Sequence, residues 1–427
     1  MGMLHSLYLH IPFCSHRCAY CDFNTYAGQE RLIPAYVDGL SAEVDYVGRR
    51  APSDVAVGTL FFGGGTPSLL SPPQVGAILE SVRQAFALSI DAEITLEANP
   101  GTVGIEQLRE LLAVGINRIS FGVQSANGEE LRMLERAHSF LDVVEAVVAA
   151  RKAGFSNLNL DLIYGLPEQT LATWQVTVQR ALELEPEHIS AYALTLEHGT
   201  PFGNWARRGL LATPDPDLAA DMYEWASEAL EAAGYGQYEI SNWAKPGHEC
   251  RHNLQYWRGL PYLGLGAGAH GYAAGYRYSN VRRIETYIDR LGHLDLQLAF
   301  RANSLDADQP GSRAQPVSSQ FPMSPALLDQ HLQSVSEDIA DFMIMGLRLT
   351  RDGIATATFR ERFGKGLDQV FGTEIAALNG LGLVDLVDRG AAGEGALSRV
   401  HTTTWEAVRL SKRGRLLGNQ VFARFVD

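Results

Sequence analysis

Residues 8 to 23 read Y-L-H-I-P-F-C-S-H-R-C-A-Y-C-D-F, and this stretch holds three of the chain's four cysteines, Cys14, Cys18 and Cys21. The apolar run Leu7 to Ile11 predicts a β-strand that delivers the thiols to its C-terminal end. Soft thiolates this close together can wrap one inorganic centre, for which iron–sulfur clusters, zinc and copper(I) are the candidates. Ligand number separates them. A structural zinc site closes a tetrahedron with four protein ligands, so zinc would need His10 or His16 beside the cysteines. A four-iron, four-sulfur cluster on three cysteines leaves one iron open to a small molecule. Three reduced structural thiols are the remaining reading, because buried cysteine packs as a small hydrophobe.

The C-x3-C-x2-C spacing, with Tyr20 before the last cysteine, resembles the radical SAM superfamily. In that superfamily the open iron is chelated by the amino and carboxylate groups of S-adenosylmethionine (SAM). The longer string Y-x-H-I-P-F-C-x3-C-x-Y-C is similar to one branch, which contains the oxygen-independent coproporphyrinogen III oxidases (HemN) and the heme chaperones (HemW). The resemblance implies a [4Fe-4S] cluster on Cys14, Cys18 and Cys21, with SAM on its open iron.

Composition narrows the classes. With 427 residues, 46% of them hydrophobic, the chain can bury a large core and form two or three domains. A net charge of −14 argues against a general nucleic-acid binder, whose phosphate contacts need a basic surface. No apolar run reaches the ~20 residues that span a bilayer, and no signal peptide is visible at the N-terminus. Clustered rather than paired cysteines argue against a disulfide framework, so a reducing, cytoplasmic setting is expected.

Along the first half, short β-rich runs alternate with helical periodicity. Strands are predicted at Leu7–Ile11, Thr59–Phe62, Ile94–Leu96, Arg118–Phe121, Leu158–Ile163 and Ile189–Leu194, with helices between them. This is the pattern of an α/β fold with a parallel sheet and right-handed crossovers. The pattern alone leaves an open sheet possible; the resemblance implies a partial (β/α)6 TIM-like barrel over residues 1–240. In either case ligands belong at the C-terminal ends of the strands.

Polar residues fall at that end. Gly63 to Pro67 form a G-G-G-T-P turn, Glu97 and Asn99 follow the third strand, Gln124 and Ser125 follow the fourth, and Asp161 interrupts the apolar fifth. Taken singly, each is explained by a tight turn or a buried, hydrogen-bonded polar group. With the cysteine loop after the first strand, five strands present such groups at one end, a pattern that single explanations do not cover. The resemblance implies that Tyr8, Gly64, Gly65, Thr66, Glu97, Gln124, Arg136 and Asp161 line the SAM site, where a reduced cluster splits a carbon–sulfur bond of SAM.

The second distinctive stretch is C-R-H-N-L-Q-Y-W, Cys250 to Trp257. On the residues alone His252 is a packing histidine beside aromatics or an axial heme ligand with flat surface near it. Cys250 reads as an ordinary thiol. H-N-x-x-Y-W resembles the heme-chaperone side of the branch, which implies heme as ligand, His252 as its ligand residue and a recipient hemoprotein as partner, respiratory proteins among the candidates. Phe23 stands where coproporphyrinogen oxidases carry a further cysteine. The expected function is therefore binding and transfer of heme; the alternatives are oxidative decarboxylation of coproporphyrinogen III and radical SAM chemistry on another substrate.

Residues 241–301 read as a linking segment with the H-N-x-x-Y-W motif and a glycine-rich turn, G-L-G-A-G-A-H-G, that closes the barrel with His270 facing the cavity. Residues 302–323, rich in Asp, Ser, Gln and Pro, read as a flexible insertion. Helical periodicity is predicted from Ala326, and residues 324–427 resemble the small, mostly helical, winged-helix-like C-terminal domain of the HemN-like family.

Overall fold

The strand expected at Leu7–Ile11 forms as β1 (Leu4–Ile11), with Leu7, Leu9 and Ile11 wholly out of solvent. Each such side chain gains about 1.5–3 kcal/mol by leaving water. Ser6, Tyr8 and His10 alternate with them onto the other face, as a period of two requires. The structure is a computed structural model describing residues 4–292, 321–388 and 405–426. It divides into two units: Met1–Glu187 with Tyr192–Met222 and Pro261–Leu332, and His188–Ala191 with Tyr223–Leu260 and Gln333–Asp427.

In the first unit the two-residue strands β2 (Phe13–Cys14) and β3 (Tyr26–Ala27) pair with each other just after β1. A parallel ladder then runs through β1, β4 (Ala56–Gly64), β5 (Ala87–Ala98), β6 (Arg118–Gln124) and β7 (Leu158–Tyr164). Helices α1 (Ile33–Gly48), α2 (Pro72–Ala85), α3 (Ile105–Val114), α4 (Gly128–Met133) and α5 (Phe140–Ala153) occupy the crossovers, and α6 (Leu171–Glu183) follows β7. Their starts follow from capping chemistry. The Gln74 side chain accepts the Ser71 N–H (2.9 Å) at α2, and Asp142 accepts the Ser139 N–H (2.7 Å) at α5.

The ladder also extends on the other side of β1. There β11 (Tyr262–Leu265) pairs parallel with β1, and β12 (His270–Ala273), β13 (Tyr276–Asn280) and β14 (Leu327–Leu332) follow antiparallel. The glycine-rich stretch, expected as a turn, is thus a strand, a turn and a second strand. The helical reading from Ala326 is corrected as well. Leu328 and Leu332 stand four apart, which suits a helix, yet they belong to β14. The helix starts at Val335, where Glu337 accepts the Ser334 N–H (2.8 Å).

In the second unit β8 (His188–Ala193) pairs through residues 188–190 with β10 (Asn242–Ala244), and β10 with β9 (Gly236–Glu239), all antiparallel. Helices Val335–Gly346, Thr356–Phe363 and Leu367–Gly380 pack with an antiparallel sheet in the order β15 (Ile354–Ala355), β17 (Trp405–Leu410), β16 (Val384–Asp388). Phe342, Met343, Leu347, Phe359, Val408 and Leu410 form part of their common core. The insertion expected at 302–323 lies outside the described residues except for 321–323. Among the described residues no helix is long and apolar enough to cross a membrane.

Candidate functional site

The cysteine loop is tied at both ends. Phe13 pairs with Tyr26 and Cys14 with Ala27, and the Tyr26 N–H donates to the Pro12 carbonyl (2.8 Å). Within it the Cys21 N–H donates to the Cys18 carbonyl (3.1 Å). The G-G-G-T-P turn after β4 lies directly against the loop's start: the Gly65 N–H reaches the Ile11 carbonyl (2.9 Å) and the Thr66 N–H the Phe13 carbonyl (2.7 Å). A Cβ at Gly65 would stand 2.5 Å from the Phe13 oxygen, so only glycine permits this approach.

A line of hydrogen bonds then connects two of the thiols. Thr66 Oγ1 donates to Cys14 Sγ (3.6 Å) and accepts from Asn99 Nδ2 (3.0 Å). Asn99 Oδ1 accepts from Arg136 Nη2 (2.5 Å), and Arg136 Nη1 donates to Cys18 Sγ (3.7 Å). Beside them His16 Nε2 meets Glu135 Oε2 at 3.1 Å. The three cysteines therefore share one wall with the turns that follow β4 and β5.

That wall encloses a cavity of about 430 Å³. Of the expected residues, Cys14, Cys18, Cys21, Gly64, Gly65, Thr66, Glu97, Gln124, Arg136 and Asp161 all line it. Gln124 adopts φ +69° beside a register shift between Gly122 and Gln124, a bulge that re-aims the end of β6. Tyr8 is not among the lining residues; its hydroxyl lies 3.0 Å from His10 Nδ1. Ser125 is fully buried on Glu130 (2.5 Å), and His270 is exposed and is not among the lining residues, against the expectation that it faces the cavity. His252 belongs to the second unit, 1% exposed, with Nε2 2.9 Å from the Tyr256 hydroxyl. Cys250 is buried among Tyr238, Ala244, Leu254 and Leu349, as an ordinary thiol would be.

Sequence reasoning missed the groups that hold Asp161. Ser120 Oγ donates to Asp161 Oδ2 (2.8 Å) and Asn159 Nδ2 to Asp161 Oδ1 (2.9 Å). The signal was present as a period of two: Glu93, Thr95, Glu97 and Asn99; Arg118, Ser120, Gly122 and Gln124; Asn159 and Asp161.

The Glu97 carboxyl is pushed up to about 8, first by burial and second by the like charge of Asp161, while the Gly64 N–H (3.1 Å) pulls the other way. The folded, ligand-free chain thus keeps a proton that an unfolded chain releases at its ordinary value of 4.5. This contribution to stability is full below that pH and is lost as pH rises through about 8. Glu97→Gln is expected to flatten the fall in urea midpoint over that window; an unchanged slope would remove Glu97 as its source.

The donor set fits a cluster. Among the described residues no three His, Cys, Asp or Glu side chains converge on a single-ion position, so a mononuclear zinc site lacks its ligand set. In a four-iron cluster each thiolate binds a different iron, and three thiols spread along one wall suit that. Burial holds the Cys14 and Cys21 thiols above their ordinary range, so loading must displace their protons.

Comparison with known proteins agrees with this geometry. The Radical SAM superfamily profile matches residues 8–181, and the HemN C-terminal domain profile matches residues 334–391. Heme chaperone HemW of Bacillus subtilis is 36% identical over 423 residues, covering 99% of each chain. Heme chaperone HemW of Escherichia coli is 44% identical over 271 residues, 62% of this chain and 69% of that one. The solved structure of coproporphyrinogen III oxidase (HemN) from Escherichia coli superposes with a TM-score of 0.75 over 99% of this chain and 90% of the other, at 23% identity, which speaks for the fold. With a relative matched end to end and the superfamily's cysteine loop at the cavity wall, the chain belongs to the HemW family of radical SAM proteins.

Proposed function

We propose that this chain is a cytoplasmic heme chaperone that binds heme and passes it to a recipient hemoprotein, with a SAM-ligated [4Fe-4S] cluster serving that transfer. The observation that carries the reading is end-to-end similarity to a relative named for heme chaperoning, at 36% identity. Cys14, Cys18 and Cys21 would hold the cluster. Gly64, Gly65, Thr66, Glu97, Gln124, Arg136 and Asp161 would hold SAM, with Tyr8 supporting them.

The cavity's charges support a cationic, zwitterionic ligand. Its walls carry the carboxylates of Asp22, Asp161 and Glu197 against Arg17 and Arg136, with Glu97 protonated in the ligand-free chain, an acidic excess that suits a sulfonium and an ammonium beside guanidinium groups that suit a carboxylate. A volume of about 430 Å³ is that of a site for one nucleoside-sized molecule. When bound, the reduced cluster supplies the electron for reductive cleavage of SAM; the protein's own groups orient the ligand and exclude water.

His252 is the proposed heme ligand. Its imidazole is buried with Nε2 against the Tyr256 hydroxyl, so ligation through Nε2 requires it to leave the tyrosine. The test is an anaerobic titration of the reconstituted chain with heme, read by Soret absorption, on wild type and His252→Ala. A saturable one-to-one shift lost in the variant is the expected result. Equal binding by both would overturn the ligand and keep the chaperone. Absence of specific binding would overturn the chaperone and leave coproporphyrinogen turnover as the activity to assay.

A further inference from the structure

The glycine-rich stretch from Gly264 to Gly271 takes no part in the cavity wall, yet it is packed against the exit of the cysteine loop. Its central amides have buried partners. The Gly266 N–H donates to Glu43 Oε2 (2.8 Å), the Ala267 N–H to Tyr36 Oη (2.8 Å) and the Gly268 N–H to the Val281 carbonyl (2.9 Å). Tyr36 Oη in turn donates to the His10 carbonyl (2.7 Å). The turn therefore rests on a fixed floor provided by α1.

What it holds is Asn24, which follows Cys21 by three residues. Asn24 Nδ2 donates to the Ala267 carbonyl and to the Arg282 carbonyl (3.0 Å each), and its Oδ1 accepts from the Tyr26 hydroxyl (3.2 Å). Its backbone carbonyl accepts from His10 Nε2 (2.9 Å). That bond makes Nδ1 the acceptor for the Tyr8 hydroxyl, so one imidazole links Tyr8 to the loop's exit. Only a carboxamide donates twice and accepts once at this point. The glycines are needed for the approach: a Cβ at Gly268, at φ +81°, would stand 2.4 Å from Asn24 Nδ2.

We propose that the turn is a brace for the cluster-binding loop, with Asn24 and His10 as positioning residues that fix the backbone leaving Cys21 and hence the orientation of the third thiolate. The inference rests on the cluster reading above. Groups that orient a metal's ligands typically contribute 10- to 100-fold to its retention.

Asn24→Asp is the diagnostic change, because it keeps the size of the side chain and turns two donors into lone pairs facing the Ala267 and Arg282 carbonyls. The full chain is reconstituted anaerobically, and three quantities are read: iron per chain, the rate of iron loss to a ferrous chelator, and the electron paramagnetic resonance spectrum of the reduced protein with and without SAM. The variant is expected to keep the wild-type circular dichroism, to lose iron about 10- to 100-fold faster, and to show an altered spectral response to SAM. Gly268→Ala should shift both cluster readouts in the same direction. If the aspartate variant does not fold, Asn24→Ala, which removes the donors without adding repulsion, carries the same two readouts. Wild-type release rates and spectra in the folded variants would overturn the brace. A wild-type chain that takes up no four-iron cluster would instead overturn the reading beneath it.

Discussion

Cys18→Ala leaves the reconstituted chain without a four-iron cluster. Cys18 lines the cavity together with Cys14 and Cys21, its sulfur approached by Arg136 Nη1 at 3.7 Å. Removing it leaves two irons without a protein ligand rather than one, and no spare thiol stands by, because Cys250 is buried in an apolar cluster. Iron and sulfide content should drop to background, and the charge-transfer absorption of the cluster should vanish, while Cys250→Ala keeps both. Retention of a full cluster spectrum by Cys18→Ala would defeat the assignment of all three cysteines.

Glu43→Ala costs at least about 3–5 kcal/mol of stability. The Glu43 side chain is fully buried and accepts four hydrogen bonds, from the Gly266 N–H (2.8 Å), Asn280 Nδ2 (2.8 Å), Tyr287 Oη (2.6 Å) and Ser324 Oγ (2.5 Å). Alanine leaves four buried donors without their acceptor, and each orphaned donor costs about 1–3 kcal/mol before any relaxation. Glu43→Gln keeps the volume but turns a donor toward donors, so it should fall between alanine and wild type. Urea midpoints at one pH decide this; a loss of less than about 1 kcal/mol would mean that water replaces the carboxylate and that the four groups are not a tie. Because Gly266 belongs to the turn that braces the cluster loop, the alanine variant should also lose iron faster.

The cavity illustrates how far sequence carries. Three thiolates within one loop are contiguous, so their spacing declares their chemistry. The polar residues at the strand ends were readable because a parallel α/β sheet gathers those ends, whatever the exact curvature. The β14 misreading has an equally local cause: Leu328 and Leu332 satisfy a helical period over a stretch too short to reject it. Ser120 and Asn159 were passed over because an apolar run was read as a single block rather than as two faces.

The succession of strands and helices in the first half, the cysteine loop and the polar ends of the strands were thus determined by sequence alone, since each depends on residues a few positions apart or on a repeating period. The tertiary structure decided the partnerships. Asn24 meets Ala267 across 243 positions, and Glu43 meets Ser324 across 281. It also decided that His252 is buried and that His270 is exposed. No local pattern encodes these, because a buried polar group takes its partner from whichever element the fold brings alongside, and the cost of leaving it unpaired is settled only after the elements have packed.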